Sequence, residues 1–473
     1  MAGRGSHEFP QSFPRPGWVE HDPEDWWTAL QAAAGQALAE AEVAADSLAA
    51  VGITNQRETT VLWDRETIEP VHPAIVWQDR RTADLCRQLR EEGWEERVRD
   101  RTGLVIDPYF SATKLSWLLE HVEGAREAAA TGRLAFGTVD TYLLYRMTGR
   151  SGHATDRTNA SRTMLYDIHR LDWDDELLNR LGIPTEVLPG VMASSGTFGI
   201  TDPERFLGAR IPISGMAGDQ HAALFGQACF TTGAAKNTYG TGSFVLMHTG
   251  GRLVASSSGL ITTMACSGPG DPPAYALEGS IFVTGAAIQW LRDGLGVIGS
   301  AGEAGPLAAS VPDTGGVVFV PALTGLGAPW WDPHARGAIL GITRGTTRAH
   351  LARAAVEAMA YQTRDVVEAM RADAGFPITE LKVDGGASAM DLLLQLQADQ
   401  LGVRVRRAAV RDTTALGAAY LAGLGEGVWG STDDLAEQWR ADGEFAPGDR
   451  GAADAGYAGW RRAVERSLGW AEA

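Results

Sequence analysis

The sequence predicts an α/β protein of two domains, and three observations carry that reading. Its 473 residues exceed the size of about 250 to 300 at which a single hydrophobic core stops growing. Short apolar runs alternate with helix-forming stretches, the pattern of layered strands and helices. Charged, loop-like sequence over 150–210 is followed by the Gly-rich stretch 231–243, which sets a boundary near 228 and domains of 1–228 and 229–473. No tandem period of 20 to 50 residues is present, so a solenoid is excluded.

The elements follow in order. Asp22-Pro23 supplies an N-cap and a proline at the first helical position, and helix formers continue to Ala45. "SLAAVGIT" then reads as a strand. Further helices are expected at 79–97, 111–123, 219–228, 284–294, 348–373, 390–401 and 413–424, with strands in "RLAFGTVD", "ALEGSIFV", "GGVVFVPAL" and "LKVDGG". One stretch resists this scheme. In "AVGITNQRETTVLW" two apolar runs flank Asn-Gln-Arg-Glu-Thr-Thr with no Gly or Pro to turn on. Adjacent strand residues point to opposite faces. For Arg57 and Glu58 to serve one small ligand, the backbone at 55–58 must therefore leave strand geometry.

Composition narrows the function. A net charge of −18 argues against binding to a phosphate backbone, so no nucleic-acid partner is expected. No apolar run reaches the length of a membrane span and no secretory leader pattern is present. Three cysteines, Cys86, Cys229 and Cys266, show no metal-ligand spacing and fit a reducing cytoplasm. Only three of the 41 basic residues are lysines, Lys114, Lys236 and Lys382. Such a bias suggests that Lys is kept where a planar guanidinium does not fit.

Four segments carry chemistry. In "SGMAGDQHAALFGQ" Asp219 falls at a helix start; it reads either as an N-cap carboxylate or as one aimed into a cleft, its charge favoured by the helix dipole. "AKNTYGTGSFVLM" places Thr241 between two glycines, in an ordinary hairpin turn or in a turn whose N–H groups meet a phosphate. It is not a GxxxxGK[ST] loop. "LKVDGGASAM" ends a strand in Asp384-Gly385-Gly386, a nucleotide site or a tight strand-to-helix turn. "PALTGLGAPWWDPHARG" is a long ordered loop, either functional or bracing a crossing between domains.

Taken together, "PGWVEHDP", "GITNQRETT", "DPYFSATKLSWLLEHV", "FGTVDTYLLYRMTG", "TNASRTML", "AGDQHAALFGQ", "KNTYGTGSF", "GLGAPWWDP" and "VDGGAS" resemble the FGGY family of carbohydrate kinases, and within it the glycerol kinases. The resemblance implies a two-domain actin-like ATPase (ribonuclease H-like) fold with an inter-domain cleft. It also implies ATP- and Mg2+-dependent phosphorylation of glycerol to sn-glycerol 3-phosphate, in a cytoplasmic homodimer or homotetramer. Carried over by motif, Arg57, Glu58, Tyr109, Asp219 and Gln220 bind the polyol, with Trp77 and Phe244 against its carbons. Asp219 is the general base and a metal ligand. Thr241, Gly285, Gln289 and Gly386 contact the nucleotide.

Two departures stand out. Family members open with an Asp-x-Gly-Thr phosphate and metal motif, which is not found in this sequence. A start placed too late is the expected explanation, and a truncated glycerol-binding relic the alternative. A kinase of another polyol or a pentulose is a third reading, against which "NQRETT" and "DPYFSATK" speak. Met390 stands where glycerol kinases commonly carry Asn near the adenine, which puts the nucleotide preference in question because a thioether is only a weak acceptor.

Overall fold

The computed structural model describes residues 1–471 and divides into two compact units. The first comprises Met1–Gly226, Thr263–Ala274 and Thr414–Glu437, and the second Gln227–Thr262, Tyr275–Thr413 and Gln438–Ala473. A single cut at 228/229 does not describe this division, because two later segments pack back into the first unit. The reason is visible in both. Thr263 Oγ1 lies 3.0 Å from Ser161 Oγ and 3.0 Å from His221 Nε2. The helix Thr413–Gly425 lies on the first unit's sheet, so close that a Cβ at Gly52 would collide with the Ala418 carbonyl and one at Gly417 with that of Ala222. Only glycine permits such an approach.

In the first unit, Ser195–Ile200, Pro212–Gly218 and Val51–Asn55 form a sheet in that order. The last two strands run parallel and end together at Gly218 and Asn55. The helix Pro23–Ala41 starts where Asp22 accepts the Glu24 N–H at 2.9 Å. It buries Trp26 and Trp27 among Trp63, Tyr142, Phe206, Ile213 and Met216. The helix expected over 79–97 is instead two, Ala83–Glu91 and Glu95–Thr102, broken at Gly93 with φ +81°. Residues 79–81 form a turn, because the Asp79 carboxylate accepts the Val19 and Arg81 N–H groups.

In the second unit, Tyr275–Ile281, Ser243–Gly250, Ala234–Tyr239, Glu380–Asp384, Val405–Ala408 and Ala441–Phe445 lie side by side in that order. Each of the first three is antiparallel to its neighbour among them, the next two join in parallel, and the last returns antiparallel. The 27-residue helix Arg348–Ala374 covers the core with Ala352, Val356, Met359, Val366 and Met370. It stops at Gly375, whose φ of +71° suits a left-handed cap.

No described helix is long and apolar enough to cross a membrane. Burial pushes the Cys86 thiol up to about 11 and the Cys229 thiol up to about 12, which keeps both in the unreactive protonated form. The three lysines are all interior, with Lys114 and Lys236 fully buried and Lys382 7% exposed. Lys114 and Lys382 each point the ammonium at two main-chain carbonyls, those of Tyr109 and Phe110 and those of Gln227 and Ala228. A compact ammonium fits such a pair where a planar fork does not.

Candidate active site

The strand Val51–Asn55 ends on the first residue of the polar stretch, and the next strand begins at Val61. Between them Glu58 has φ +61°, a sparsely populated conformation for a side chain of this kind. The Thr59 N–H donates to Arg57 O at 2.7 Å, closing a three-residue turn. The Thr60 and Ser111 hydroxyls both donate to Glu58 O at 3.1 Å and hold the turn in place. The chain thus leaves strand geometry at 55–58, and Arg57 and Glu58 come to one side.

Asp219 opens the helix Asp219–Gly226 directly after the strand Pro212–Gly218. Its Oδ1 lies 3.1 Å from Arg57 Nε and accepts the Gln220 N–H at 2.7 Å. The Gln220 amide donates to Oδ2 at 3.2 Å. The side chain is 35% exposed, whereas those of Arg57 and Glu58 are 2% and 1% exposed. The carboxylate is therefore the open member of the group. Gly218 makes room for the pairing, since a Cβ there would stand 2.6 Å from Arg57 Cγ. Arg57 Nη2 donates to the Tyr109 hydroxyl at 3.4 Å, and the Tyr109 and Trp77 rings meet edge to face at 5.7 Å. Arg57, Glu58, Trp77, Tyr109, Asp219 and Gln220 therefore gather in the first unit. Phe244 belongs to the second, in register with Thr238 and Ser280 on neighbouring strands.

Residues to which motif reading gave no role in the site support this group. Arg162 Nε donates to Glu58 Oε1 at 2.6 Å. Lys114 ties the Tyr109 and Phe110 carbonyls together; burial lowers its ammonium to about 7 against the opposing charges of Glu58, Asp79 and Asp107. Behind them lies Asp140, fully buried, which accepts from Thr138, from Asn55 at 3.2 Å and from Thr155 at 2.6 Å.

Burial, reinforced by the charge of Asp156, pushes the Asp140 carboxyl up to about 6 from an ordinary 3.8. Between these values the folded chain binds more protons than the unfolded one. The stability this carboxyl contributes is complete below pH 3.8 and is lost as pH rises through 6. Asp140→Asn cannot titrate and turns an amide N–H2 towards donors, at a cost of about 1 to 3 kcal/mol. We expect its melting temperature to lie below that of the parent at pH 4 and to fall less between pH 4 and pH 7. Parallel circular-dichroism melts with equal slopes would contradict this.

The second unit carries the other set. The turn Gly240-Thr241-Gly242 joins the strands Ala234–Tyr239 and Ser243–Gly250 and caps the helix Gly285–Asp293. The Thr284 and Ala286 N–H groups donate to Thr241 O, and the Gly285 N–H to Gly240 O, all at 3.0 Å. The first amides of that helix are thus consumed by the turn. Gly285 matters here as a close approach, because a Cβ would stand 2.5 Å from Gly240 O. Gln289, one turn further along, is exposed.

At the end of Glu380–Asp384 the two glycines divide their roles. Gly385 has φ +84° and packs on the Tyr239 backbone, while a Cβ on Gly386 would meet nothing within 4 Å. Gly386 therefore borders open space. Asp384 is buried and accepts from Gln227 at 2.8 Å and from Thr413, so it holds the turn from behind. Met390 ends the short helical turn Gly386–Ala389, and its Cγ lies 3.3 Å from where a Cβ on Gly305 would be. Among the described residues no group of three or more His, Cys, Asp or Glu forms a metal cage.

Comparison with known proteins identifies the family. The profile of the FGGY family of carbohydrate kinases, N-terminal domain, matches residues 1–226, and that of its C-terminal domain matches residues 235–426. The chain is 57% identical over 472 residues to a glycerol kinase of Symbiobacterium thermophilum, covering 100% of this chain and 94% of that one. It is 56% identical to glycerol kinase 2 of Thermotoga maritima, over 99% and 95% of the two chains. Among solved structures, Plasmodium falciparum glycerol kinase with ADP superposes with a TM-score of 0.91 at 35% identity, covering 98% and 92%. A xylulose kinase of Lactobacillus acidophilus, at 21% identity and a TM-score of 0.85, shares the fold. This chain belongs to the FGGY family of carbohydrate kinases.

Proposed function

We propose that this chain phosphorylates glycerol at the expense of ATP, giving sn-glycerol 3-phosphate. The observation that carries the proposal is the group of the first unit in which Arg57, Glu58 and Asp219 are packed beside the edge-to-face pair Trp77 and Tyr109. A small triol offers hydroxyls and a short carbon edge. A guanidinium fork, two carboxylates and an aromatic wall match both. The relatives named as glycerol kinases support the same substrate.

In the reaction, Arg57 and Glu58 orient the hydroxyls, and the oxygen to be phosphorylated lies at Asp219. As the new O–P bond forms and the bond between the γ-phosphorus and its bridging oxygen breaks, the hydroxyl proton passes to the Asp219 carboxylate. Phosphoryl transfer asks mainly for position and charge stabilisation, so a weak base suffices. Thr241, Gly285, Gln289 and Gly386 hold the nucleotide, with Met390 beside the base.

The donors fit Mg2+ of the kind that takes one or two carboxylates and completes its shell with phosphates and water. Asp219 is the open carboxylate and no all-protein cage exists among the described residues. With the nucleotide bound, Asp219 would hold such an ion, which would supply positive charge to the phosphate oxygens. The need for ATP places the reaction in a compartment that supplies it, and the cytoplasm is the one proposed.

The test is a coupled ADP-release assay on the purified chain with glycerol, xylitol and D-xylulose, and stereospecific enzymatic detection of sn-glycerol 3-phosphate. Turnover with glycerol above the other two is expected. Glycerol binding without turnover, or faster turnover with the pentulose, overturns the proposal.

A further inference from the structure

Two guanidinium groups and two carboxylates meet in the first unit, and the distances pair them unequally. Arg57 Nε is 3.1 Å from Asp219 but 3.8 Å from Glu58 Oε1. That same Glu58 oxygen accepts from Arg162 Nε at 2.6 Å. Arg57 Nε thus lies closer to Asp219, and a short hydrogen bond that orients the Glu58 carboxylate comes from Arg162. Both side chains of this second pair are buried, at 0% and 1% exposure. Charge-assisted bonds of this length are the strong ones, and the rigid fork sets direction as well as charge.

Arg162 is itself held firmly. The segment that carries it begins at Asp156, whose carboxylate accepts the Thr158 and Asn159 N–H groups at 3.0 and 2.9 Å and the Ser194 hydroxyl at 2.7 Å. Asn159 and Asn55 exchange amide hydrogen bonds at 3.1 and 3.2 Å, which ties the segment to the end of the strand that leads into the 57–59 turn. Thr158 Oγ1 accepts the Gly218 N–H at 3.0 Å, which ties it to the residue before Asp219. The guanidinium lies 5.5 and 5.4 Å from the Tyr109 and Phe110 ring centres. One short segment thus references Glu58 to the frame that carries Arg57 and Asp219.

We propose that Arg162 is a positioning residue for glycerol recognition, acting through Glu58 and making no contact with glycerol itself. This rests on the reading of Glu58 as a glycerol ligand, and the experiment separates the two. Glycerol and ATP saturation kinetics are measured for the full chain carrying Glu58→Gln, Arg162→Met, Arg162→Lys and the double change Glu58→Gln with Arg162→Met.

Glu58→Gln and Arg162→Met are each expected to raise the glycerol KM about tenfold or more, with the ATP KM within twofold of the parent. Arg162→Lys recovers part of the loss. The double variant is no worse than the poorer single one within threefold, because both changes remove the same effect. Arg162→Met takes a short charge-assisted hydrogen bond from a buried carboxylate. If it fails to fold, the cycle runs with Arg162→Lys, which is expected to raise the glycerol KM in the parent and to change nothing in the Glu58→Gln background.

An unchanged glycerol KM in Glu58→Gln overturns the glycerol reading of Glu58 and this proposal with it. A raised KM in Glu58→Gln beside an unchanged one in the folded Arg162 variants overturns the Arg162 assignment alone. So do effects that multiply in the double variant, or an ATP KM that rises in step.

Discussion

Asp219→Asn is expected to lower kcat for glycerol phosphorylation by about 100- to 10,000-fold, the range supplied by a positioned proton acceptor. The glycerol KM should move far less, because the amide oxygen keeps an acceptor opposite Arg57 Nε and the Gln220 N–H, which now meet Oδ1 at 3.1 and 2.7 Å. An ADP-release assay at saturating glycerol, with a melting curve to confirm folding, reads this directly. A kcat within fivefold of the parent would mean that the proton leaves by another route, and Asp219 would then be a helix-terminal carboxylate with a structural role.

The second large effect is expected at Arg57. Its side chain is 2% exposed, lies 3.1 Å from Asp219 and donates to the Tyr109 hydroxyl at 3.4 Å. Arg57→Ala removes both links and a fork of donors from the polyol. Hydrogen bonds to charged groups contribute about 1.5 to 3 kcal/mol each, so kcat/KM for glycerol should fall by at least about tenfold and up to a few hundredfold. The loss should fall on the glycerol side, with the ADP dissociation constant by calorimetry staying within twofold. A matching loss of nucleotide affinity would show that the change spreads beyond the first unit. Arg57→Lys is expected to recover little, because an ammonium cannot reach Asp219 and Tyr109 with the geometry of a fork.

Local chemistry made much of the fold legible. Asp22-Pro23 announces the first long helix, and the seven later helical stretches each overlap one helix or, at 79–97, two, the second of which runs on to Thr102. That exception has a local cause in Gly93, whose left-handed φ ends one helix before the next begins. A lone glycine in a charged stretch reads equally well as a tolerated interruption. The discontinuous make-up of the first unit could not be read locally. It depends on Gly52 and Gly417 accepting backbone against backbone, and a glycine does not say which partner it admits.

The site divides in the same way. The conflict in "AVGITNQRETTVLW" showed that 55–58 must leave the strand, because period-two geometry cannot put neighbours on one side. Glu58 at φ +61° is how the chain does it. Arg162 gave no such signal. It sits in "TNASRTML" as a single basic residue among small polar ones, and its value comes from a carboxylate 104 positions away in sequence. Gly285, carried over by resemblance as a nucleotide contact, opens a helix whose leading amides the Gly240-Thr241-Gly242 turn has already taken.

The interior placement of Lys114, Lys236 and Lys382 has a consequence for the outside of the molecule. Every exposed basic side chain is an arginine or a histidine, so the folded surface offers no primary amine from any side chain. Amide-forming acylation, Schiff-base formation with sugars and isopeptide conjugation all require that nucleophile, and all three would find few side-chain targets on the folded protein. Its long-lived surface cations are groups that pair with carboxylates and phosphates but do not acylate, and its three amine side chains become reactive only when the chain unfolds.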